Sequence, residues 1–112
     1  MRPGDPRFAT FPTVTGVDQL KWYIQQTAQG VLSIQEFIAE FRLLHEAIER
    51  QGAPSYASYE EGRLIWDVLW AVEFCSQDIT KEENPEDWYI PEEVLMIVRK
   101  AAEGLKTSQP TE

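Results

Sequence analysis

The residues of this 112-residue chain whose types could carry chemistry are one histidine, one cysteine and a surplus of carboxylates. Their spacing excludes most of that chemistry. Glu-x-x-His, the helix signature of carboxylate-bridged di-iron sites, would need an acid at position 42 ahead of His45, and Arg42 stands there. His-Glu-x-x-His fails as well, because His45-Glu46 is followed by Glu49 where the second histidine belongs. A partly exposed structural histidine is the expectation for His45. A lone Cys75 forms no internal disulfide and no cysteine-based zinc site, which takes two or more thiolates. The acidic stretch from Asp78 has the composition of a calcium loop, yet Glu83 occupies the sixth position, where the turn needs glycine. Tyr89 occupies the twelfth, where a bidentate Glu belongs. There is no glycine-rich phosphate loop and no Gly-x-Ser-x-Gly elbow, and no carboxylate pair comes with a base or oxyanion donor that spacing identifies. The expectation is therefore a non-enzymatic protein with no cofactor and no metal.

What remains is the charge itself. Acids number 19 against 10 Lys and Arg, for a net charge of −9 and a composition that is 43% hydrophobic and 26% charged. A chain of this size and composition buries one core and forms one domain. Between Glu60 and Glu93 eleven acids face only Arg63 and Lys81, whereas the rest of the chain holds eight acids and eight bases. All of the surplus thus lies in one segment, which points to a local electronegative surface. Direct nucleic-acid binding is disfavoured, since it depends on cations set against phosphate, and so is an anionic membrane surface. Neither a signal-peptide pattern nor a run of some 18 uncharged apolar residues occurs, and the single cysteine suits a reducing compartment, so a cytoplasmic location is expected.

The elements that must position these groups are helical. Residues 1–15, with Pro3, Gly4, Pro6 and Pro12, read as an irregular arm that Phe8 and Phe11 anchor. Val17, Leu20, Ile24 and Ala28 form one face of a first helix that ends at Gly30. Ser33 and Glu36 make a capping box for a second helix, whose stripe runs from Ile34 through Phe37, Phe41 and Leu44 to Ile48 and which closes at Gly52. Ser58 and Glu61 repeat that spacing ahead of Leu64–Cys75, a segment apolar nearly all round. Such a helix is usually central, so Trp66, Trp70, Phe74 and Cys75 are expected in the core. After a polar, acidic loop come Trp88, Tyr89 and Ile90, which either pack back or lie on a binding surface. Pro91 and the acids Glu92 and Glu93 then open a fourth helix that Gly104-Leu105 should close in a Schellman turn. The fold class is all-α: an antiparallel four-helix bundle over residues 16–106, with an irregular N-terminal arm and a polar tail at 107–112.

An acidic helical bundle without chemistry reads as a binder of a basic partner. Three features, spread from Leu32 to Leu105, resemble the colicin D type of immunity protein, within the bacterial self-protective colicin-like immunity family. They are Ser33-Ile34-Gln35-Glu36-Phe37 opening a helix, Ala71-Val72-Glu73-Phe74 closing the Trp66-to-Phe74 segment, and Asp87-Trp88-Tyr89-Ile90 leading into a helix with Glu92, Glu93 and Leu95. The resemblance implies a protein that binds the nuclease domain of a bacteriocin and blocks its cationic, RNA-binding site. On charge grounds the contact set is Glu73, Asp78, Glu82, Glu83, Glu86 and Asp87, with Trp88 and Tyr89 as aromatic anchors. A regulatory adaptor, or a nucleic-acid mimic acting on another basic host protein, would use the same surface.

Overall fold

The computed structural model describes residues 6–52, 54–76, 80 and 83–108, and these form an all-α four-helix bundle of α1 (Val17–Ala28), α2 (Ile34–Arg50), α3 (Tyr59–Glu73) and α4 (Pro91–Ser108). Among the described residues the sole β feature is an isolated bridge between Cys75 and Tyr89. Consecutive helices run antiparallel. Val17, opening α1, shares a cleft with Gln51 and Gly52 beyond the end of α2. Across the next pair, His45 of α2 meets Trp66 of α3, and Leu64, early in α3, lies against Gly104, late in α4. Both α2 and α4 pack against all three other helices, so α1 and α3 take opposite corners. Lys21 ties those corners together, 3.4 Å from Asp18 and 3.6 Å from Glu61.

Helix starts follow the capping signals. Ser33 Oγ accepts the Glu36 N–H at 3.1 Å while Glu36 Oε1 accepts the Ser33 N–H at 3.2 Å, a complete box of which the serine cap contributes about 1 kcal/mol. At α3 only the serine half forms: Ser58 Oγ accepts the Glu61 N–H at 3.1 Å, and the buried Glu61 carboxylate faces Lys21. At α4 the other half forms, with Ile90 N–H donating to Glu93 Oε1 at 3.1 Å and Pro91 in the first turn. Gly30 (φ 83°) and Gly52 (φ 131°) adopt positive φ after α1 and α2, a conformation that glycine enters without a Cβ clash.

The fourth helix ends later than its sequence signal. It continues through Gly104 to Ser108, so the expected Schellman closure at Gly104-Leu105 is corrected, as is the start of a tail at Thr107. Gly104 instead permits close approach, since a Cβ there would stand 2.8 Å from Leu64 Cδ1. Leu105, expected beyond the helix, is buried inside it.

The core is filled by Leu20 and Ile24 of α1, Phe37 and Phe41 of α2, Ile65 and Val68 of α3, and Val94, Val98 and Leu105 of α4. A second aromatic nucleus holds the arm. The rings of Phe8, Phe11, Trp22 and Tyr23 lie within 6.0 Å of one another in every pairing, Trp22 Nε1–H donates to Thr10 Oγ1 at 3.1 Å, and Gln19 Nε2 donates to the Pro12 carbonyl at 2.8 Å. Arg7 adds a two-bond fork to Glu36 at 3.0 and 2.9 Å. Residues 6–12 are therefore strapped onto α1 and the start of α2, and Phe8 and Phe11 anchor them as expected.

Candidate functional site

The solvent face of α3 is set by its register. Ile65, Val68, Leu69 and Val72 point into the bundle, which leaves Tyr59, Glu60, Arg63, Trp66, Asp67, Trp70 and Glu73 outside. At ~100° per residue these seven positions fall within an arc of roughly 140°. Trp66 is 50% exposed and Trp70 58%, which corrects their expected place in the core. The reason is geometric: α3 has neighbours in α2 and α4, and its apolar circumference exceeds what those two can cover. The centre of the bundle falls to α2 and α4. Phe74 and Cys75, just past the end of α3, are half-buried.

From Trp70 the aromatic surface continues across two elements. The Trp70 and Phe74 ring centroids are 4.6 Å apart, and those of Phe74 and Trp88 6.1 Å. Two backbone bonds fix this junction: Tyr89 N–H donates to the Phe74 carbonyl at 2.7 Å and Ser76 N–H to the Tyr89 carbonyl at 2.8 Å. The loop that leaves α3 is thereby pinned shut at its base, with Trp88 laid over the end of the helix. Its carboxylates stand nearby in the chain: Glu73 ends α3, Glu83 lies in a bend, and Glu86 and Asp87 lie in the 3-10 turn Pro85–Asp87, all four exposed.

Of the eight residues expected to bind a partner, Glu73, Glu83, Glu86 and Asp87 are exposed carboxylates and Trp88 is a half-buried part of the aromatic row. Tyr89 is half-buried against the core and lines a cleft with Trp70, Asp67 and Ile97. Asp78 and Glu82 lie outside the described residues. Trp66 and Trp70 were missed as surface groups, although Glu60, Arg63, Asp67 and Glu73 already mark the polar side of α3 and both indoles fall on it.

His45 and Cys75 both border this face, through Trp66 and Tyr89. His45 is 2% exposed, not partly exposed as its spacing suggested. Its Nδ1 faces Glu49 Oε1 at 3.2 Å, its ring meets Trp66 edge-on at 5.4 Å, and Nε2 has no hydrogen-bond partner among the described residues. Burial, with Glu93 adding to it, pushes the Cys75 thiol up, which disfavours the nucleophilic thiolate. Among the described residues no three His, Cys, Asp or Glu side chains gather closely enough to hold a metal ion, and no helix is long and apolar enough to cross a membrane.

Tyr56 is half-buried, its hydroxyl buried without a partner among the described residues. Burial pushes its phenol up, and Glu49 and Glu61 push it further. The folded chain therefore keeps this proton at a pH where the unfolded chain has lost it. The contribution to stability is whole below the unfolded value near 10 and is lost as pH rises through the folded value. Tyr56→Phe removes both the unpaired hydroxyl and this alkaline loss. Urea denaturation should show the variant equal to the parent or more stable by about 1 kcal/mol at pH 7, with a difference that widens above about pH 10. A variant weaker at both pH values would show that the hydroxyl has a partner.

No family model, curated protein or solved structure matches the chain.

Proposed function

We propose that this chain is a non-enzymatic binding protein that docks on a cationic protein surface through the outer face of α3 and the loop after it. The observation that carries the reading is the exposure of Trp66 and Trp70 on the helix that begins the acidic segment, interleaved with Glu60, Asp67 and Glu73. Large side chains left outside the core cost solubility, and contiguous apolar patches on small proteins mark contact sites. Indoles at the centre with carboxylates at the rim match the anatomy of a protein interface, in which aromatic anchors hold and charges steer.

A surface that holds RNA must present Lys and Arg, so a carboxylate-rich face can cover it in place of phosphate. The partner class that follows is a basic nuclease domain, and the resemblance to colicin-like immunity proteins names the biological setting: inhibition of a cognate toxin in the cytoplasm.

The test is complex formation with cationic nuclease domains, above all one encoded beside this chain's gene, by gel filtration at about 50 mM and about 300 mM salt. A complex that weakens as salt rises is expected. Replacing Glu73, Glu83, Glu86 and Asp87 by Lys should keep the far-UV helix signal and lose the complex. Unchanged binding by that variant, or no complex with any basic domain, would refute the proposal.

A further inference from the structure

Resting on that reading of α3, we infer that the cationic group this face accepts is arginine, stacked on Trp70 with its charge set against Asp67. The two residues line one cleft of 240 Å³ between α3 and α4, together with Tyr89, Leu64 and Ile97. An indole, aliphatic side chains and a carboxylate lining one cleft fit the three parts of an arginine side chain. Its planar guanidinium stacks on an indole face and forks to a carboxylate, while its methylene stem covers apolar surface. Lysine offers a compact, strongly hydrated ammonium that pairs with the carboxylate but gains less from the ring.

Two cations of this chain stand near the site. The face's own Arg63, one turn before Asp67, lines a separate cleft of 380 Å³ with Tyr56, Tyr59 and Trp66. Lys100 lines the Asp67–Trp70 cleft itself and opposes an incoming cation. Asp67 has no ion pair among the described residues and is open to a partner.

The experiment compares two dye-labelled octapeptides of equal charge, one alternating Arg with Gly and the other Lys with Gly, by fluorescence anisotropy at about 150 mM salt. The arginine peptide should bind about fivefold more tightly, the increment expected of an exposed cation–π contact. Trp70→Ala should erase that preference, weakening the arginine peptide to the level of the lysine peptide, and Lys100→Ala should tighten the arginine peptide. Equal binding of the two peptides, or a preference that survives Trp70→Ala, would overturn the inference and leave the acidic docking face standing. Binding of neither peptide would overturn the inference, while complex formation with a whole basic domain would still judge the docking face.

Discussion

Phe41→Ala is expected to destabilise the folded protein by about 3–5 kcal/mol, a large share of the ~5–15 kcal/mol that holds a domain of this size together. The ring is completely buried and stacks on Phe37 with centroids 4.7 Å apart. Along the 17 residues of α2 Phe37, Phe41, His45 and Ile48 are buried, with Ile34, Ile38 and Leu44 half-buried against the core beside them. The ring sits in the middle of that stripe. Truncation leaves a cavity in addition to the lost transfer energy, because α1, α3 and α4 are fixed by their own contacts and cannot collapse into the space. Urea unfolding followed by circular dichroism should show a lower midpoint with an unchanged slope. A loss below about 1.5 kcal/mol would mean that the neighbours repack. Phe41 is buried and contributes no surface to the outer face of α3, so below its melting temperature the variant should still bind a basic partner.

Most of the fold was legible because its signals are local. The serine caps at Ser33 and Ser58, the proline at 91 and the glycines at 30 and 52 each act within a few residues, and the structure uses them where the sequence places them. The end of α4 was not legible, since whether Gly104 closes a helix or admits a neighbour depends on Leu64, forty residues away. The same limit hid the anchors of the candidate face. Apolar residues all around a helix reveal how much surface asks to be buried, not how many neighbours are present to bury it. With only α2 and α4 against it, α3 covers Ile65, Val68, Leu69 and Val72 and leaves two tryptophans in water. Charge was easier to read, because carboxylates stay outside in almost any fold: Glu73, Glu83, Glu86 and Asp87 are exposed as their types require. His45 failed for the opposite reason. Burial of a histidine needs a partner for its polar atoms, and that partner, Glu49 one turn on, is a short-range signal that the exposed reading overlooked.

Replacing both Trp66 and Trp70 by alanine should separate stability from binding more sharply than any other change. Each indole is at least half exposed, so its removal forfeits little burial. Trp66 loses an edge contact with His45, and Trp70 loses its ring contact with Phe74. Together these amount to about 1–2 kcal/mol of folding stability, well below the cost of one core phenylalanine. At an interface the balance reverses. A tryptophan that becomes fully desolvated against a partner is the commonest kind of hot spot, and each is worth about 2 kcal/mol or more, so the pair should cost 100-fold or more in affinity at roughly constant association rate. Charge reversal in the loop should do the opposite, slowing association and changing its salt dependence, because exposed rim carboxylates act mainly through steering. Stopped-flow association and dissociation rates with the captured basic domain distinguish the two. If the double variant dissociates as slowly as the parent, the aromatic row is not the anchor, and binding would rest on the acidic residues alone.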